Sequence, residues 1–140
     1  MIRKFNNNDI ESVMNIWLES NTDAHDFINL EYWKNNYSSV RSAIMQAEVY
    51  ISETDSIING FIGLTDNYIA GIFVSKPYRS KGIGTSLSNF IKKHRNTLIL
   101  SVYEKNQKAV KFYKKSGFII ESKQIDSDTM QTEYIMHWKR

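Results

Sequence analysis

The spacing of apolar residues changes several times along this chain, and each change marks an element. Ile2 to Phe5 is a short strand candidate. Asn8-Asp9 can cap a helix over Ile10 to Ser20, where Val13, Met14, Ile16, Trp17 and Leu18 form a broad apolar face. Asn21 to Asp23 is expected to break that helix, and a second helical region, in one or two pieces, should run from about Asp26 to Gln46. The period then falls to two. Glu48 to Glu53, Ile57 to Thr65 and Tyr68 to Ser75 read as strands joined by turns at Thr54–Ser56 and Asp66-Asn67. Gly82 to Arg95 returns to helical spacing through Ile83, Leu87, Phe90 and Ile91. Thr97 to Val102 is a nearly continuous apolar run of the fully buried kind. Asn106 to Ser116 is helical, with Gly117 in position to end it, and Phe118 to Asp126 pairs with Met130 to Trp138. The order β-α-α-β-β-β-α-β-α-β-β predicts an α+β fold with about seven strands and about four helices.

Composition narrows the chemistry. With 140 residues, 41% hydrophobic and 24% charged, the chain is expected to be a single domain spanning residues 1–140 with its own core. It has no cysteine, which excludes disulfides, a thiol nucleophile and thiolate metal sites. His25, His94 and His137 lie far apart without metal-ligand spacing, so no metal is expected. No run approaches a membrane span, and Met1 to Asn8 has no apolar segment of a secretion signal. A cytoplasmic location without a membrane partner is the expectation. The net charge of +3 is mild and its lysines and arginines are dispersed, which argues against a nucleic-acid surface but suits a small anion.

The segment from Ile72 to Thr85 shows where such an anion would sit. A strand enters a loop containing Pro77, the only proline, and the loop opens a helix whose first turn holds Gly82 and Gly84. Amides at a helix N-terminus have no internal acceptor and lie at the positive end of the helix dipole. Glycine lets a phosphate approach them, and Arg79 and Lys81 add charge nearby. Thr85-Ser86 follow Gly84 without the lysine of a Walker loop, and Leu87 stands where a dinucleotide fingerprint needs its third glycine. What remains is Arg-x-x-Gly-x-Gly, a pattern that two glycines at a helix start also satisfy.

That pattern, at this junction, resembles the acetyl-CoA motif of the GCN5-related N-acetyltransferase (GNAT) superfamily. Asn106 to Phe118 is similar to the same family's Asn-x-x-Ala-x-x-Phe-Tyr-x-x-x-Gly-Phe block. One helix and one strand separate the two, and the element order agrees over essentially the whole chain. Trp17 to Phe27, with Asp23 to Ile28, is more narrowly similar to a bacterial YjaB-like branch.

The resemblance implies a mixed, mostly antiparallel sheet and an N-acetyltransferase that carries acetyl from acetyl-CoA to a primary amine of a small molecule or protein. It implies a pyrophosphate on the main chain of Arg79, Ser80, Lys81, Gly82, Ile83, Gly84 and Thr85, and pantetheine along Ile72, Phe73 and Val74. Gly71 would permit a bulge that splays this strand from the next. Asn106 and Phe112 would flank the coenzyme, Asn106 also as a helix cap. Tyr113 would act as general acid to the thiolate, and an amide near Val74 would meet the acetyl oxygen.

Ile69 to Ile72 offers no carboxylate base. His25 is then a candidate base, or a structural histidine, and Tyr32, Tyr68, Tyr103 and Glu104 could line the acceptor site. A non-catalytic acyl-CoA sensor is the other reading. Monomer and homodimer are equally open.

Overall fold

A seven-stranded sheet forms because six of its strands each have a face to bury and one helix pair covers each side. The computed structural model describes all 140 residues. The strands are β1 (Ile2–Lys4), β2 (Glu48–Thr54), β3 (Ile57–Thr65), β4 (Tyr68–Val74), β5 (Thr97–Tyr103), β6 (Ile119–Ile125) and β7 (Thr132–Lys139). The helices are α1 (Ile10–Ala24), α2 (Leu30–Gln46), α3 (Ile83–Lys92) and α4 (Gln107–Lys115). Their spatial order is β1-β2-β3-β4-β5-β7-β6, with only β4 and β5 parallel. Phe61 of β3 turns toward α1 and α2, joining Val13, Trp17 and Trp33, whereas Ile62 and Leu64 turn toward α3 and α4, joining Leu87 and Val110. This alternation on β3 is what period two requires of a strand covered on both faces. β6 is the exception: it lies at the sheet edge and every residue in it is exposed.

Two local features open the sheet at its centre. Opposite β3, Gly63 pairs with Gly71 and Leu64 with Ile69, so Ala70 is an extra residue in β4. The bulge shifts the alternation, so that Ile69 and Ile72, three apart, both face α3 and α4. β4 and β5 then pair only at Tyr68–Ile99 and Ile69–Leu100. Past that point they diverge, and the edge of β4 from Gly71 to Val74 faces a gap. Gly71 is required there, although for another reason as well: a Cβ on it would stand 2.3 Å from the Phe73 ring, which folds back to stack on Phe61 at 5.0 Å.

The helices differ from expectation at their ends. Asn21 to Asp23 does not break α1, which continues to Ala24. Asn21 is buried and its Nδ2 donates to the Trp17 carbonyl at 2.9 Å, while Thr22 Oγ1 donates to the Leu18 carbonyl at 2.9 Å. Satisfied this way, polar side chains stay in a helix that packing holds. The second helical region is one helix, beginning at Leu30, because Asn29 caps it by accepting from the Glu31 amide at 2.9 Å. α3 stops at Lys92 rather than Arg95.

Candidate active site

The gap between β4 and β5 has two sides built differently, one at the start of α3 and one at the exit of α1, which the resemblance casts as the donor side and the acceptor side. On the donor side, β4 leads into a 3-10 turn at Lys76–Tyr78 with Pro77 at its start, then into α3. Ser80 and Gly82 are both left-handed, with φ of 64° and 83°, and no side chain caps the α3 N-terminus at Gly82. Left-handed residues alternating with others turn successive N–H groups toward one concavity, and the first-turn amides of α3 have no helical acceptor. Arg79 spends its own amide on the Lys76 carbonyl at 3.3 Å, so the open run of donors begins at Ser80. Around it lies a pocket of about 210 Å³ lined by Val74, Tyr78, Arg79, Ser80, Gly82, Ile83, Gly84, Thr85 and Phe112.

The charged side chains sit less simply. The Arg79 Nε donates to the Val74 carbonyl at 3.1 Å and its Nη1 to Asp23 Oδ2 at 2.5 Å. It therefore ties the loop to the end of α1, and it holds the Asp23 carboxyl below its usual range. Lys81 Nζ lies 5.7 Å from the Tyr78 ring centre. A Cβ on Gly84 would meet the Phe112 ring at 3.3 Å, whereas one on Gly82 would meet nothing within 4 Å. Gly84 thus allows α4 to close on α3, and Gly82 supplies the left-handed turn.

Tyr113 packs into the core on the α3 and α4 face of the sheet, and α4 ends just beyond it in a strict local motif. The Phe118 amide donates to the Tyr113 carbonyl at 2.9 Å and the Gly117 amide to the Lys114 carbonyl at 3.1 Å, with Gly117 at φ 92°. This is a Schellman cap, and its accompanying apolar contact is Phe118 against Tyr113, ring centres 5.6 Å apart. The cap that ends the helix therefore also clamps the tyrosine ring. Burial, with Tyr68 nearby, pushes the Tyr113 hydroxyl well above its ordinary range, and the Ile72 backbone acts the other way. The hydroxyl stays protonated at neutral pH.

On the acceptor side, His25 leaves α1 into a nest of rings. It stacks on Trp33 at 5.2 Å and meets Tyr103 at 5.2 Å and Phe27 at 5.6 Å edge-on. Its Nε2 lies 3.1 Å from Asn106 Nδ2, while its Nδ1 is buried without a hydrogen-bond partner. Burial lowers its pKa to about 4, with the Asn21 backbone pulling weakly upward. A neutral ring accepts at Nε2 from the Asn106 amide. Asn106 also caps α4, its Oδ1 accepting from the Ala109 amide at 3.3 Å. Tyr103 donates to Asp126 Oδ2 at 2.6 Å.

The anticipated donor residues thus gather largely in one place: Val74, Phe112, Arg79, Ser80 and Gly82 to Thr85 share one pocket, with Lys81 beside it. Ile72 packs into the core below, and the Phe73 ring turns to the opposite face, leaving only its backbone toward the gap. Asn106 faces the acceptor side, where it meets His25. Tyr78, Asp23, Phe27, Trp33 and Asp126 are additions that residue spacing did not single out. No cluster of three metal-ligating side chains occurs, and no helix is long and apolar enough to cross a membrane.

The chain presents an uncapped helix start beside a splayed strand, and comparison with known proteins gives the class of protein to which it belongs. Residues 18–133 match the family described as Acetyltransferase (GNAT) domain. The chain belongs to this family, and it is an acetyl-CoA-dependent N-acyltransferase. It is 32% identical over 140 residues to the peptidyl-lysine N-acetyltransferase YiaC of Escherichia coli, covering 99% of this chain and 96% of the relative. It is 31% identical to the peptidyl-lysine N-acetyltransferase YjaB of the same organism, covering 84% of this chain and 80% of the relative. The solution structure of apo YjaB from Escherichia coli superimposes with a TM-score of 0.88 at 26% identity, covering 99% of this chain and 96% of that one.

Proposed function

We propose that this enzyme acetylates the side-chain amine of lysine in proteins, by direct attack on acetyl-CoA within a ternary complex, with Tyr113 serving the departing thiolate. The observation that supports the chemistry is Tyr113 itself, buried, protonated and clamped by Phe118 in the core behind β4, the strand that splays from β5. The acceptor class follows from the two relatives named as peptidyl-lysine N-acetyltransferases, one of them alignable over nearly the whole chain.

The amides from Ser80 to Thr85 hold the pyrophosphate, and the free edge of β4 from Gly71 to Val74 holds the pantetheine as an added strand would. The amine nitrogen bonds to the thioester carbon, the C–S bond breaks, and an amide near Val74 stabilises the oxyanion between. Positioning supplies much of the acceleration, since the two reactants are held in one gap. Tyr113 donates a hydrogen bond to the leaving sulfur. A phenol with so high a pKa is a weaker acid than a thiol of pKa about 8.5, so its part is to stabilise the thiolate until the proton shed by the amine replaces it.

His25 is poorly suited to receive that proton. Its conjugate acid, at a pKa of about 4, is far stronger than a lysine ammonium, and its Nε2 is already engaged by Asn106. The setting favours His25 as a neutral brace that holds Asn106, and through it the start of α4. The amine's proton then passes through solvent to the departing thiolate.

The test is to supply purified enzyme and acetyl-CoA with lysine peptides and, separately, a panel of small amines, following free thiol and acetylated product. Lysine-peptide turnover supports the reading. Turnover confined to small amines would replace the acceptor class, and thiol release from none of them would leave the acyl-CoA sensor.

A further inference from the structure

The acceptor side already carries a cation of the chain's own. Lys105, in the turn between β5 and α4, takes part in no ion pair. Its Nζ lies instead 5.6 Å from the centre of the Phe27 ring. The neighbouring Glu104 is engaged elsewhere, accepting from Tyr134 at 2.8 Å and pairing with Lys123 at 3.5 Å. Phe27 meets Tyr103 edge-on at 5.8 Å, and Tyr103 in turn donates to Asp126, a carboxylate with no lysine or arginine within ion-pair distance. Phe27 and Tyr103 are only half-buried, so both present ring surface outward. A half-exposed ring pair with an unneutralised carboxylate behind it has the composition of an alkylammonium site.

Its position in the fold gives that composition a use. Tyr103 ends β5 on the side of the gap away from the pyrophosphate loop, and Asn106, three residues on, reaches His25 in the same nest. An acceptor entering opposite the coenzyme would pass this wall. The side chain of a peptide lysine is chemically the same as that of Lys105, so a surface that draws one draws the other.

We propose that Phe27 and Tyr103, backed by Asp126, form the subsite at which the alkylammonium head of the acceptor docks before it sheds its proton to solvent and attacks as the neutral amine, and that Lys105 occupies it until the acceptor displaces it. This rests on the lysine-acceptor reading above for its ligand, but its test does not depend on turnover.

The probe is Nα-acetyl-lysine amide, titrated into the protein saturated with coenzyme A, with binding followed through the aromatic proton resonances in NMR spectra. Lys105→Met, which keeps the aliphatic stem and removes the charge, should bind the probe about fivefold more tightly than the parent. Phe27→Leu and the isosteric Asp126→Asn should each weaken it by about fivefold or more, with coenzyme A affinity preserved. Unchanged probe affinity in Lys105→Met would overturn the displaced-lysine part. Unchanged affinity in both wall variants, or no saturable shift of these rings in any of the proteins, would overturn the subsite. A parallel titration with n-butylamine separates the two claims. If lysine peptides prove not to be turned over while n-butylamine still binds the wall more tightly in Lys105→Met, the acceptor class fails and the alkylammonium subsite stands.

Discussion

The donor and acceptor sides of the gap share a sheet but are made of different material. On the donor side the proposed binding groups are main-chain amides in one stretch, Ser80 to Thr85, beside two left-handed residues and an uncapped helix start. On the acceptor side every feature is a side chain, and these come from α1's exit, α2, the end of β5, the cap of α4 and the β6–β7 hairpin. Amides present the same donors whatever residue carries them, so a donor side of this kind survives broad sequence change. A nest of side chains has no such protection. It can be rebuilt without disturbing coenzyme binding, so one fold can serve different amines.

The sharpest way to break this contrast is Gly84→Asp. It places a carboxylate in the first turn of α3, where the dipole would otherwise favour phosphate, and a Cβ 3.3 Å from the Phe112 ring. Acetyl-CoA affinity measured by calorimetry should fall about 100-fold or more, while the acceptor-side aromatic NMR signals stay in place. An unchanged dissociation constant would remove the main-chain cradle.

Tyr113→Phe should lower kcat by about 100-fold in a thiol-release assay, with the acetyl-CoA dissociation constant changed less than about twofold. A loss of binding instead of turnover would make Tyr113 a packing residue. Its burial against Phe118 makes the conservative replacement safe for folding.

On the acceptor side, His25 should reveal itself through pH. Its pKa is about 4 in the folded protein, whereas an unfolded histidine titrates near 6.5. Between those values the unfolded chain binds a proton that the folded one excludes, so this contribution is complete above about pH 6.5 and is lost as pH falls toward 4. Urea midpoints at pH 7 and pH 5 should therefore drop more for the parent than for His25→Gln. Equal drops would mean that the ring is freely solvated.

The smallest effect is expected from Asp23→Asn. The Asp23–Arg79 pair is exposed, and such pairs are screened and contribute little. Acetyl-CoA affinity should change by no more than about twofold. A larger change would show that the end of α1 sets the pyrophosphate loop, and would join the two sides more closely than their construction suggests.

Much of this was visible before any coordinates. β2, β3 and β4 form close to where period two put them, and α4 was bounded by Asn106 and Gly117, which do cap it. Where the reading of elements failed, a side chain had found a partner that spacing cannot show. Asn21 was expected to stop α1, but it is buried and bonded to the Trp17 carbonyl, so the helix passes through it. At the site, Trp33 and Asp126 carried no signal, and Phe27 figured only within the run that resembles the YjaB-like branch. Nothing near Asp126 in the chain indicates that the order β5-β7-β6 will bring it to Tyr103.

Residue order was therefore enough for the backbone shape of the Ser80–Thr85 turn, because a cluster of amides within one turn depends on backbone angles that Gly82 and its neighbours set locally. Tertiary structure alone decided the acceptor side. His25 and Asn106 are 81 residues apart and meet at 3.1 Å only because both helix ends are packed against the same splayed sheet. Contacts of that kind depend on the summed burial of two cores, which no short stretch of sequence contains.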